Sequence, residues 1–235
     1  MVEFGILGQL EAVEDGTPLE LAGRRPRALL AMLLLRANEV VSVDRLIDGL
    51  WDDDPPETAR KAVQVYVVQL RRMLPGLPLV TRGAGYVLQL SPGQLDLTRF
   101  ERLVESARHA EPAVAAERLR EALALWRGPP LCDFAYDSFA QPEIARLEEL
   151  RLAAFEARVD AELELGRDAE LVAELEALCR EHPLRERVRA QLMLALYRAG
   201  RQSDALATYR EARRLLDGEL GLYPSGALQE LERAI

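Results

Sequence analysis

At 235 residues, 49% of them apolar and with a formal net charge of -9, the chain is long enough for one large domain or two ordinary ones and is composed like a globular protein. Its two cysteines, Cys132 and Cys179, exclude a disulfide framework and fit a reducing cytoplasm; no secretory signal is visible, and the most apolar run, ALLAMLLL (28–35), is too short to span a bilayer. The acidic total argues against nonspecific nucleic-acid binding by the whole surface, yet residues 58–90 hold five basic groups and no acid, whereas residues 91–235 carry a net charge of -7.

Residues 4–21 contain two short β-type runs, FGILGQL and TPLEL, around the turn signal Glu14-Asp15-Gly16. Residues 26–37 are a strongly apolar helical segment with Pro26 near its first turn, where a missing N–H costs nothing. Ser42 precedes VDRLIDGLW as the N-cap of a second, short helix. DDDPP (52–56) is a loop, and Thr58 is placed to cap a third helix over TARKAVQVYVVQLRRML, which Pro75-Gly76 ends. LVTRGAGYVLQL (79–90) then reads as a hairpin, two β-favouring runs flanking Arg82-Gly83-Ala84-Gly85. SPGQ (91–94) is the natural boundary.

From Leu95 onward helix follows helix, each with apolar residues at three- and four-residue spacing. Gly166, Gly200 and Gly218 are expected at helix ends. LRERVRAQLMLALYRAGRQSDALATYREARRLL has the cadence of a helix–turn–helix repeat of about 34 residues with Gly200 at its turn, and the pair around LGRDAELVAELEALC is a weaker copy. The second half therefore reads as an all-α array of the tetratricopeptide kind.

On a helical wheel Val63, Val67, Leu70 and Leu74 share one face of the third helix, with Tyr66 at its margin. The opposite face centres on Lys61, Val65, Val68 and Arg72, flanked by Gln64, Gln69 and Arg71. An ordinary surface helix places Glu or Asp among its arginines. Cations for phosphate or guanine, amides for adenine and valines for thymine methyls suit a major groove instead. The hairpin that follows carries Arg82 at its tip, with Gly83 and Gly85 permitting close backbone approach; glycine is also what any tight hairpin needs.

DRLIDGLWDDDPPETARKAVQVYVVQLRRML and TRGAGYVLQL resemble the winged-helix domain of actinobacterial antibiotic-regulatory activators (the SARP family), itself similar to OmpR-type DNA-binding domains. LDLTRFERLVESARHA, LALWRGPPLCDFAYDSFAQPEIARLEELR and LMLALYRAGRQSDALATYREARRLL resemble that family's bacterial transcriptional activation domain. The resemblance implies a mainly α protein with an α+β N-terminal part: a winged helix-turn-helix over 1–90 and a tetratricopeptide-like activation domain over 95–235. By position it puts Lys61, Gln64, Val68, Arg71 and Arg72 on the DNA-facing helix. Thr81 and Arg82 fall beside the wing, and Arg24, Arg25 and the N-terminus of the helix after Ser42 near phosphates; Arg45 either joins them or lies on the surface. The implied partners are double-stranded DNA carrying tandem direct repeats, RNA polymerase including its sigma subunit, and a second protomer, at least on DNA. The implied role is activation of a secondary-metabolite gene cluster, in the cytoplasm at the nucleoid. Val68-Gln69 departs from the Ser-Arg type pair frequent in the family, so no operator sequence transfers to this chain.

Catalysis finds little support. His109 and His182 lie on different helical segments, Cys179-x-x-His182 lacks the second pair a zinc site needs, and Gly83-Ala84-Gly85 lacks the Lys-Ser/Thr of a phosphate loop. No cofactor, metal or membrane is expected. The competing readings are a protein-interaction adaptor built on the helical array, and a repressor using the same DNA-binding fold. The pattern at Leu-Glu-Arg-Ala-Ile is mid-helix, which fits either a fragment of a longer regulator or a small activator trimmed at its end.

Overall fold

A computed structural model describes residues 2–235, which form two compact units. The first comprises residues up to 105 together with 121–152, the second residues 106–120 together with 153–235.

The first unit opens with an antiparallel sheet, β1 (Val2–Gly5), β2 (Glu11–Glu14) and β3 (Thr17–Pro18), in the order β1-β2-β3. Asp15 and Gly16 connect β2 to β3 with φ of 49° and 83°, the double positive φ of a type I′ hairpin turn. Then come α1 (Arg24–Leu34), α2 (Val43–Trp51) and α3 (Ala59–Met73), whose core includes the fully buried Leu29, Leu30, Leu33, Leu46, Val63 and Leu70. Ser42 caps α2 as expected, its Oγ accepting from Arg45 N–H at 3.2 Å. Thr58 does not cap α3 with its side chain, because its φ of -92° and ψ of 12° lie outside the extended region a capping residue adopts. A second sheet pairs β4 (Val41–Ser42) with β6 (Gly85–Leu88) and β6 with β5 (Leu79–Arg82), all antiparallel. Three helices closed by this sheet make a winged helix-turn-helix.

The segments beyond the winged helix complete this unit. Phe4 N–H donates to Gln94 O at 2.7 Å, and Leu131 N–H donates to Ile6 O at 3.1 Å. The buried carboxylate of Asp96, at the start of α4 (Asp96–Ala107), accepts from the backbone N–H of Ile6 (2.9 Å) and Leu7 (3.0 Å) and from Arg127 Nη2 at 2.9 Å. Asp133, in a short 3-10 turn, accepts from Leu10 N–H at 2.9 Å and Arg27 Nη2 at 2.7 Å. The N-terminal sheet therefore borrows its acceptors from residues about ninety and more positions away.

Helices α5 (Pro112–Ala124) and α6 (Gln141–Glu164) contribute residues to both units. The second unit continues through α7 (Asp168–Glu181), α8 (Glu186–Arg198), α9 (Gln202–Leu220) and α10 (Gly226–Ala234), with α8 packed between α7 and α9. Gly166 and Gly200 end α6 and α8 at φ of 73° and 79°. Arg167 N–H bonds to Glu162 O and Arg201 N–H to Leu196 O, the six-residue closure of a Schellman motif. Gly218 lies inside α9, which ends instead at Gly221 with φ of 65°. Among the described residues no helix is long and apolar enough to cross a membrane.

Candidate nucleic-acid interface

The helical period sorts α3 into two faces. Val63, Val67 and Leu70 are buried, as is Leu74 just beyond the helix. Tyr66 is half-buried and stacks on Trp51 with ring centroids 6.1 Å apart. The other face is open: Lys61, Gln64, Gln69, Arg71 and Arg72 are exposed, and Val65 and Val68 are 46% and 44% exposed. Two half-open valines among cations and amides gain nothing from water, so this face has the chemistry of a contact surface. Arg71 and Arg72 stand in the last turn, where they also favour the negative end of the helix dipole.

The cations of this region differ in what holds them. Arg71 Nη2 donates to Leu79 O at 2.7 Å, tying the end of α3 to the start of β5. Arg60 pairs with Asp44 in the first turn of α2. The side chains of Lys61, Arg72 and Arg82 have neither an ion pair nor a hydrogen bond among the described residues. At the hairpin, Thr81 faces Tyr86 and Arg82 faces Gly85 across the ladder, leaving Gly83 and Ala84 as the turn, with Thr81 and Arg82 exposed. Gly83 has φ of 57° and open space around it. Gly85 is buried for an internal reason: a Cβ there would lie 2.3 Å from Val41 O, so its bareness is what lets β4 approach β6.

Arg24 and Arg25 sit in the first turn of α1, and each has a protein partner. Arg24 pairs with Asp137 at 2.5 Å while its side chain stays 71% exposed. Arg25 donates to Leu50 O, and its guanidinium lies 4.7 Å above the Trp51 ring. Arg25, Trp51 and Tyr66 thus form a stack joining α1, α2 and α3, a role no local pattern signals. The structure brings Lys61, Gln64, Val68 and Arg72 onto one helix face with Val65, ties Arg71 between that helix and the wing, and sets Thr81 and Arg82 on the hairpin.

Two family models match in tandem. Residues 16–88 match "Transcriptional regulatory protein, C terminal", and residues 95–235 match "Bacterial transcriptional activator domain". The chain is 40% identical to the regulatory protein DnrI of Streptomyces peucetius, covering all of this chain and 92% of that protein. It is 45% identical to the regulatory protein AfsR of Streptomyces coelicolor, of which it spans only 24%. Among solved structures it matches Mycobacterium tuberculosis EmbR, determined with a low-affinity phosphopeptide, at a TM-score of 0.96 and 38% identity over 99% of this chain and 64% of that one.

Proposed function

The chain belongs to the SARP family of transcription regulators, and from that premise we propose that it binds operator DNA as two protomers on tandem direct repeats and activates a secondary-metabolite gene cluster. In this reading α3 enters the major groove. Lys61 and Arg72 meet phosphate or guanine, Gln64 an adenine edge and Val68 a thymine methyl, while Thr81 and Arg82 approach the backbone or minor groove beside the wing. Arg71 contributes by holding helix to wing, and Arg24 and Arg25 reach phosphate only by leaving their present partners. Residues 1–90 serve DNA, and residues 95–235 serve self-association and RNA polymerase, including its sigma subunit; the site of action is the nucleoid in the cytoplasm.

One observation carries the proposal: a fifteen-residue helix with a buried apolar face and an opposite face that is exposed, acid-free, cationic at both ends and apolar at its centre. The chain's net charge of -9 limits nonspecific attraction, so DNA affinity rests on this local footprint. Selection of bound duplexes from a random pool at near-physiological salt tests it. Two short direct repeats at a spacing of about one helical turn or a multiple are expected, and recovery of no sequence above background would overturn the reading.

A further inference from the structure

In the second unit a buried cation opens onto a cleft. Arg189, on α8, is 2% exposed. Its Nε donates to Pro183 O at 2.7 Å, but the carboxylate facing it, Glu211, stands 3.8 Å from Nη1, beyond hydrogen-bond reach. Among the described residues no acceptor takes its Nη donors. Its Nη groups are not sealed in protein but reach the water of the cleft, where an entering anion can replace that water. The cleft it lines, about 390 Å³ between α7, α8 and α9, also presents Arg180 and Thr208.

At Ala207 this cleft meets a second, of about 570 Å³, lined by Arg210, Arg213, Arg214 and Asp217. The arginines at 210, 213 and 214 fall at one-turn spacing on the exposed side of α9. Like Arg180, they have no ion pair among the described residues, whereas Arg120, Arg158, Arg187 and Arg198 of the same unit each hold a carboxylate. The rim acids Glu176 and Asp204 are shared by Arg201, at 3.8 Å and 2.7 Å. With those two acids already paired to Arg201, the five lining arginines (180, 189, 210, 213 and 214) face four carboxylates, Glu176, Asp204, Glu211 and Asp217. That is a positive surface within the acidic part of the sequence.

We propose that this groove docks an acidic polypeptide segment of a partner protein, with one carboxylate entering to take the open Nη donors of Arg189 while neighbouring acids lie against Arg210, Arg213 and Arg214. The planar fork of arginine matches a carboxylate with two parallel bonds. A side chain can enter the cleft to a guanidinium 2% exposed, whereas the phosphates of a duplex are borne on a broad ridge that stays outside, which favours protein over DNA. The inference goes beyond the DNA-binding reading, which its test leaves standing.

The test is fluorescence anisotropy with the full chain and a labelled peptide of repeated Glu-Gly-Ser, with Gln-Gly-Ser repeats as the control. Only the acidic peptide binds on this proposal. Arg189→Lys keeps the charge and loses the fork, weakening binding by about tenfold or more. The exposed triple variant Arg210→Ala, Arg213→Ala, Arg214→Ala does so by a similar factor. Glu211→Gln, at a side chain 58% exposed, removes the competing acid and tightens binding, which keeps the idea testable if Arg189→Lys melts early. Equal affinity for both peptides, or none for either, overturns the proposal. So does an Arg189→Lys protein of unchanged melting temperature that binds as tightly as the wild type. Loss of operator binding in the triple variant would reassign the groove to phosphate.

Discussion

Replacing Lys61, Arg72 and Arg82 together by alanine isolates the salt-dependent part of operator binding. All three are exposed and, among the described residues, their side chains carry no ion pair or hydrogen bond, so alanine removes charge without orphaning an internal partner. Folding stability should change by no more than about 0.5 kcal/mol. Each phosphate neutralised on a duplex contributes about -0.9 to the slope of log K against log salt, so three per protomer contribute about -2.7. Between about 50 and about 200 mM salt the wild type should then lose about 40-fold more affinity than the variant. The assay is anisotropy of a labelled duplex bearing one operator repeat, titrated at several salt concentrations, with thermal melting as the control for folding. A folded variant with an unchanged slope would refute the placement of this face on phosphates. Arg71→Ala serves as contrast: its bond to Leu79 O makes it a stability variant, costing about 1 kcal/mol.

Gly85→Ala should destabilise the winged helix by about 1–3 kcal/mol, because a Cβ placed 2.3 Å from Val41 O forces β4 from β6; an unchanged melting temperature would contradict this. Burial raises the Asp96 carboxyl above its ordinary 3.8, against the pull of the Ile6 and Leu7 N–H groups and Arg127. A folded value above the unfolded one means that the stability this group adds is fully present below pH 3.8 and lost as pH rises through the folded value. Asp96→Asn should remove that part of the slope in denaturant unfolding followed across acid pH, and an identical slope would count against it. Cutting the chain after Ser91 removes Asp96 and Asp133, leaving the N–H groups of Ile6, Leu7 and Leu10 without their acceptors at about 1–3 kcal/mol each; the fragment should melt far below the full chain, and an equal melting temperature would refute the anchoring.

What the sequence made legible is what depends on short spacings. The faces of α3 follow from a 3.6-residue period, and Val63, Val67 and Leu70 are buried where the wheel puts them. The Ser42 cap and the turns at Gly166 and Gly200 are equally local. What escaped depends on distance. β4 is two residues long and exists only because Tyr86 and Gly85 pair with it more than forty positions later. Gly85 reads in sequence as room for close backbone approach at the wing, or as a plain hairpin glycine, but answers to Val41 O in space. Arg25 reads as a free cation, and only folding sets it over Trp51. Thr58 has the right side chain for a cap and the wrong backbone, since it is the third residue of the turn closed by Ala59 N–H to Pro56 O, which holds it near ψ of 12°.

Pairing, more than position, divides the cations of this chain by role. Arg27, Arg127 and Arg158 are held by acidic partners at 2.7–2.9 Å; removing one takes a counter-charge from a part-buried carboxylate, so their loss is felt as instability. Lys61, Arg72 and Arg82 on the winged helix and Arg210, Arg213 and Arg214 on α9 have no such partner among the described residues, and remain hydrated until something anionic replaces the water. Cations without an acidic partner can meet a ligand without breaking an internal ion pair, so binding at either surface, as proposed above, would leave the fold undisturbed. The formal net charge of -9 over the chain works against nonspecific attraction of phosphate by the surface as a whole. On the two proposals made above, these surfaces in separate units would answer to different anions: repeated phosphates along an open helix face, and a carboxylate small enough to enter a cleft.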